Sequence, residues 1–188
     1  MPEGVGGIAA ILGLDDESVR AVCAEGAQGE VLEAVNYNSP GQVVIAGNRA
    51  AVERGMELAK AKGAKPALPL TVAGPYHSRL MSGAPSKLRE VLAAVKFHPP
   101  TVPVVANVTA QPHGPPAEIA ARLVEQVTGS VRWEESMRFF LAQGFTRFIE
   151  LGPGTVLSGF MKRIDKDAAL FNVTDAPGLE STVRNLSS

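Results

Sequence analysis

The sequence predicts an α/β protein made of two differently organised parts. Residues 4–72 parse as strand, helix, strand, strand, helix, strand, an order that defines the ferredoxin-like arrangement. Residues 73–188 instead alternate single strands with helices, the pattern of an α/β layer with parallel pairing. The balance of 45% hydrophobic to 20% charged residues over 188 positions is enough for a sizeable core.

The elements follow in order. "GIAAILGL" is a short apolar run, read as a strand. Asp15 is placed to N-cap a helix, with Leu14 and Val19 spaced as a hydrophobic staple. Val19, Val22 and Cys23 share one face of that helix, and Gly26 or Gly29 can end it. "EVLEAVNYN" and "GQVVIAG" read as strands joined by the turn "NSPG". Asn48 is expected to cap the helix "RAAVERGMELAKAK", which Gly63 stops. "ALPLTV" closes the unit, and Pro66 and Pro69 restrict it to a sheet edge. Beyond it, residues 78–97 are expected to form a long helix, with Pro85 in its first turns or beginning a fresh one. "TVPVVANVT", "FTRFIEL" and "AALFNV" are the expected strands of the second part. "PAEIAARLVEQV", "WEESMRFFLAQG" and "TVLSGFMKRI" are its expected helices. Three strands are few for a parallel sheet covered on both faces, so this part is expected to belong to a larger domain.

Charge and composition exclude several function classes. Eighteen basic and nineteen acidic residues leave a net charge of −1 with no charge run, so neither nucleic acid nor a membrane surface is an expected partner. The single Cys23 rules out an intrachain disulfide and a cysteine-based zinc site. It fits a cytoplasmic location. The opening "GGIAAILGL" is too short to span a bilayer and follows Pro2-Glu3, not a basic segment.

Of the three histidines, His98 and His113 stand beside prolines in apparent loops, where solvent exposure is expected. His77 lies in "GPYHS", between a strand end and a helix start, where rigid elements can aim a loop side chain. Position alone does not separate a catalytic from a structural role. A histidine base needs a nucleophile within hydrogen-bond reach. No G-x-S-x-G elbow occurs in these residues. Ser39 in "YNSPG" is followed by Pro40, which has no N–H for an oxyanion hole, and Ser78 is poorly placed to face its own neighbour. "ELGPGTVLSG" has glycines before a helix but fits neither phosphate-loop spacing, so a tight strand-to-helix turn is the expected reading. Trp133 and the phenylalanines after it are expected to be core, since no basic residues interleave them as a nucleic-acid platform would require.

Five segments together carry a resemblance: "VNYNSPGQVVIAG", "LPLTVAGPYHSRLM", "VPVVANVTA", "LVEQVTGSVRWEESM" and "ELGPGTVLSGFMKRI". In this order and spacing they resemble the C-terminal half of the bacterial malonyl-CoA:acyl-carrier-protein transacylases, over nearly the whole chain. The resemblance implies an α/β-hydrolase-like acyltransferase domain carrying a ferredoxin-like small domain. Residues 4–72 match the small domain and 73–188 the last part of the large one. It implies ping-pong malonyl transfer from coenzyme A, through a serine, to the phosphopantetheine thiol of acyl carrier protein, with no bound cofactor. By the same resemblance His77 is the general base, the main-chain carbonyl of Gln126 orients its ring, and Asn38 and Gln42 lie near the substrate channel. Tyr76 stands where a phenylalanine is usual, and its ring is expected to exclude an α-methyl branch from the acyl pocket.

The family's oxyanion glycine motif, its G-H-S-x-G elbow and its carboxylate-binding arginine match nothing in these residues. They are expected upstream of residue 1, which makes a complementary N-terminal half a further expected partner. Pro66 replaces a basic residue usual after Lys65, which weakens one expected phosphate contact. Two other readings stay open: a non-catalytic ferredoxin-like module docking acyl carrier protein or a complementary chain, and an acyltransferase domain of a polyketide synthase.

Overall fold

The computed structural model describes residues 6–70 and 74–187. The chain divides into two compact units between Ser136 and Met137. In the first unit the strands are β1 (Gly6–Leu12), β2 (Leu32–Ser39), β3 (Gln42–Asn48) and β4 (Ala67–Pro69), with helices α1 (Asp16–Ala27) and α2 (Arg49–Ala61) between them. They form one antiparallel sheet in the order β2-β3-β1-β4. The proline-containing β4 is an edge strand, as Pro66 and Pro69 require. Its expected continuation through Val72 lies outside the described residues.

One sheet face packs on the helices. Ala9, Ile11, Leu32, Val43 and Ile45 meet Val19, Val22, Cys23, Ala51, Val52 and Ala59 in a single buried cluster. The other face carries a smaller cluster of Ile8, Ala10, Val35, Val44 and Ala46. Burial on both faces explains why β1 reads as a continuous apolar run without alternation. The β2–β3 hairpin turns at Pro40-Gly41, and Gly41 takes the positive φ of 70° that the turn needs. Asp15 caps α1 by accepting from the Ser18 N–H at 2.7 Å.

Asn48 does not cap α2. Its side-chain oxygen accepts from the Val31 N–H at 2.9 Å instead, tying the start of β2 to the end of β3. The same approach leaves no room at Gly47, where a Cβ would run into the Val31 carbonyl. Gly47→Ala is therefore expected to destabilise the unit by roughly 1–3 kcal/mol or more, because backbone must shift. Chemical denaturation of the two proteins measures it.

The segment after the sheet is broken, with Pro85 in the first turn of a fresh helix as one of the two expected forms has it. In place of one helix over 78–97 there is a 3-10 turn at Arg79–Met81 and a shorter helix α3 (Ala84–Leu92), with Pro85 in its first turn. The Gly83-Ala84-Pro85 sequence restarts the helix, since a proline cannot donate to the preceding turn. "TVPVVANVT" is not a full strand. Only β5 (Val105–Ala106) pairs, antiparallel, with β6 (Gln111–Pro112). Helix α4 (Pro116–Gln126) is as expected. After it, Val131 pairs with the outer edge of β2: Val131 donates to the Val35 carbonyl at 2.8 Å and accepts from the Tyr37 N–H at 2.9 Å.

Helix α5 (Trp133–Ala142) contains the division between units. The second unit then holds β7 (Arg147–Leu151), α6 (Val156–Ile164), β8 (Ala169–Val173) and α7 (Ala176–Leu186). β7 and β8 are parallel, from Arg147 opposite Ala169 to Leu151 opposite Val173. Helix α7 was not expected; its mixed sequence "APGLESTVRNL" hides it, though Asp175 caps it by accepting from Gly178 at 2.8 Å. Among the described residues no helix is long and apolar enough to cross a membrane.

Candidate active site

His77 sits in a short connection whose backbone is pinned at several points. Its own φ is 63°, the left-handed region that few non-glycine residues occupy. Such a conformation persists only where the surroundings over-determine it. The next residue, Ser78, is fully buried and its hydroxyl donates to the Pro75 carbonyl at 2.6 Å. That bond closes the turn around His77 and removes Ser78 as a nucleophile. Arg79 follows with its N–H donating to Glu33 on β2 at 2.9 Å.

The imidazole is held from the end of α4. Nδ1 of His77 lies 2.9 Å from the main-chain carbonyl of Gln126. A carbonyl can only accept, so Nδ1 carries the proton and Nε2 keeps a free lone pair when the ring is neutral. The Gln126 side-chain nitrogen is also 3.2 Å from Nδ1, but it donates to the Gly129 carbonyl at 2.9 Å, which fixes the amide orientation. The strand-like pairing of Val131 and a bond from the Ser130 hydroxyl to the Ala34 carbonyl at 3.0 Å fasten this stretch to β2. β2 therefore supports both the backbone and the ring of His77. This arrangement gives a fixed tautomer with one available base nitrogen, the orientation that general acid–base catalysis needs.

An open groove of about 550 Å³ lies beside the ring, lined among others by Arg20, Cys23, Tyr37, His77, Thr128 and Ser130. Arg20 lies over the Tyr37 ring at 5.8 Å from its centroid, which braces one wall. Of the other expected site residues, Asn38 is next to last in β2 and Gln42 begins β3, both half-buried at the hairpin and not among the groove's lining. Tyr76 is exposed next to His77. Ser39 is buried at the hairpin with no partner for its hydroxyl among the described residues. His98 is exposed as expected. His113 is not: it is half-buried and its Nδ1 is enclosed without a partner among the described residues.

Burial pushes the Cys23 thiol from 9.0 up to about 12, with Glu33 adding to the shift. The thiolate is the reactive form, so Cys23 is a core residue at the groove floor and not a second nucleophile. Alkylation by iodoacetamide near pH 8 is expected to be slower than in the unfolded chain by roughly a hundredfold or more. The unfolded thiol ionises near 9.0 and the folded one near 12, so this group's contribution to stability is intact below pH 9 and falls as pH rises above it.

The glycine turn of "ELGPGTVLSG" is a strand-to-helix connection between β7 and α6. Two of the N–H groups at the start of α6 are already taken. Glu150 of β7 accepts from Leu157 at 3.1 Å and from Ser158 at 2.8 Å, with a further bond from the Asn172 amide at 3.1 Å. Desolvation alone would raise the Glu150 carboxyl, but the bonds from Ser158, Leu157 and Asn172 outweigh it and hold it below the usual range. Among the described residues no group of three or more His, Cys, Asp or Glu side chains is arranged to hold a metal ion.

The fold is that of the α/β acyltransferases. No protein-family model matches the chain. Its curated relatives are malonyl CoA-acyl carrier protein transacylases: it is 51% identical to the Salmonella typhimurium protein over 164 residues, and 43% identical to the Bacillus subtilis protein over 187. These matches take in 87% and 99% of this chain but only 53% and 59% of the relatives. The chain thus spans little more than half their length. Among solved structures it is similar to the acyl-carrier-protein S-malonyltransferase of Burkholderia pseudomallei, at 49% identity and a TM-score of 0.94. It is also similar, at 44% identity and a TM-score of 0.96, to a malonyl-transacylase solved in complex with a type II polyketide synthase acyl-carrier protein. Each alignment covers 98% of this chain and 60% of the other. The five-motif resemblance to malonyl-CoA:acyl-carrier-protein transacylases extends across the chain at this level of identity.

The features that sequence reading missed are Glu33, Arg79 and the 128–132 segment. Only the paired signs of Glu33 and Arg79 could have pointed to them, and their 46-residue separation hides that.

Proposed function

We propose that these residues supply the histidine-bearing part of a malonyl transacylase, acting with a serine carried on a G-H-S-x-G segment that the 188 residues do not contain. The observation that carries this reading is the His77 Nδ1 bond to the Gln126 carbonyl, which frees Nε2 to act as the base. In the first half-reaction Nε2 takes the serine proton as the oxygen attacks the malonyl thioester carbon, and returns it to the departing coenzyme A sulfur. In the second, Nε2 takes the proton of the phosphopantetheine thiol, that sulfur attacks the malonyl ester, and the serine leaves reprotonated. The partners are malonyl-CoA, acyl carrier protein and the serine-bearing segment, in the cytoplasm, with no cofactor in either step.

In this reading 4–72 is a ferredoxin-like subdomain and 73–188 the C-terminal part of the larger acyltransferase domain. The β-α-β-β-α-β order and the antiparallel β2-β3-β1-β4 sheet support the first assignment. Asn38 and Gln42 border the substrate channel, and Tyr76 limits the acyl group to one without an α-methyl branch.

The purified 188 residues, incubated with malonyl-CoA, are expected to show no malonyl adduct by intact mass. Together with a family segment bearing G-H-S-x-G they are expected to pass malonyl to acyl carrier protein. A stoichiometric adduct on these residues alone, turned over by carrier protein, contradicts the division of labour. Binding of carrier protein with no transfer in the complemented sample would favour the docking-module reading.

A further inference from the structure

The backbone of His77 is held in a region that costs about 1–2 kcal/mol for a non-glycine residue, so something must oppose its relaxation. The Ser78–Pro75 bond is internal to the turn and fixes its shape, not its place. The link from the turn to the sheet is Glu33. One carboxylate oxygen accepts from the Arg79 main-chain N–H at 2.9 Å, and the other lies 2.8 Å from the Arg79 side-chain Nε. Glu33 neighbours Ala34, whose carbonyl accepts from Ser130 in the segment that follows the Gln126 carbonyl. Two adjacent β2 residues therefore hold the backbone two positions after His77 and the chain that presents its ring acceptor.

We propose that Glu33 is a positioning residue for His77, acting through the Arg79 main-chain N–H to keep Nδ1 aimed at the Gln126 carbonyl. This rests on the reading of His77 as the general base. The Arg79 side chain is the lesser part. It is 67% exposed, where an ion pair contributes little, whereas the N–H to carboxylate bond directly restrains the strained turn.

The test reads the tautomer of His77 and not the transfer reaction, so it stands or falls separately from the acyltransferase assignment. Only three histidines are present, so nitrogen-15 histidine spectra of the full chain resolve each ring. They are recorded at about pH 9, above the ordinary imidazole range. In the parent chain His77 is expected to be mainly Nδ1-protonated. Glu33→Ala is expected to lower the ratio of Nδ1–H to Nε2–H by roughly two- to tenfold, the worth of one hydrogen bond, with His98 unchanged. Arg79→Ala keeps its main-chain N–H and is expected to change the ratio less. Glu33→Gln, which keeps an acceptor for that N–H, is expected to restore most of it. If the alanine variant does not fold, Glu33→Thr suits a strand, is too short to reach Arg79, and reads the same quantity. A folded Glu33→Ala or Glu33→Thr protein with an unaltered His77 ratio overturns the proposal. An effect of Arg79→Ala as large as that of Glu33→Ala overturns its assignment to the main-chain bond.

Discussion

Replacing His77 by alanine, in an assembly that includes the serine-bearing segment, is expected to lower malonyl transfer by about two to four orders of magnitude. That corresponds to about 3–5.5 kcal/mol of transition-state stabilisation. The magnitude follows from the one free nitrogen: without Nε2 nothing at this position can take the serine proton or return it to the leaving sulfur. Substituting Gln126 should cost far less, because the acceptor of Nδ1 is its main-chain carbonyl, which every amino acid carries. Gln126→Ala removes the side-chain bond to Gly129 and the amide nitrogen 3.2 Å from Nδ1, and leaves that carbonyl in place. His98→Ala should leave the rate unchanged, since that ring is exposed in a loop. Steady-state transfer to carrier protein, compared across the three variants, gives the ordering. A His98 effect equal to that of His77 would show that the wrong histidine has been chosen.

The legible parts of the molecule are those where local chemistry and tertiary placement agree. Asp15 announces the start of α1 and then caps it; Pro66 and Pro69 announce an edge strand, and β4 lies at the edge. The hidden parts are those decided over long separations. Asn48 carries a cap signal, but Val31 offers its side chain a nearer donor, and seventeen residues separate the two. "TVPVVANVT" has strand composition, yet Pro103 removes a donor and only two residues find a ladder partner. At the site, His77 stands out by its neighbours "GP" and "S", whereas its supports, Glu33 on β2 and Gln126 at the end of α4, lie far from it in sequence and have no local signature.

The two units are expected to differ sharply in hydrogen exchange. In the first, β1 and β3 are central strands, and Ile11, Val43 and Ile45 on them are fully buried against α1 and α2. Their amides should open only with global unfolding. In the second unit the described ladder has two strands, and a two-stranded pair is marginal unless its faces are covered. One face of β7 is poorly covered: Ile149 is 45% and Leu151 76% exposed, and Val156 is 63% exposed at the start of α6. Full burial of such a side chain contributes roughly 1.5–3 kcal/mol, so three together approach the whole stability of a small domain, about 5–15 kcal/mol. Exchange of the β7 and β8 amides is therefore expected to be on the order of a thousandfold or more faster than that of β1 and β3. The Val131 amide should group with the slow set, because it pairs with β2. The sample must be dilute and monomeric by light scattering, since self-association would cover the same face. Adding the serine-bearing segment should slow β7 and β8 selectively, as new neighbours bury Ile149 and Leu151. Equal protection of all four strands in the monomer would mean that the second unit is stable by itself. Its exposed apolar face would then give no support to a complementary segment docking there.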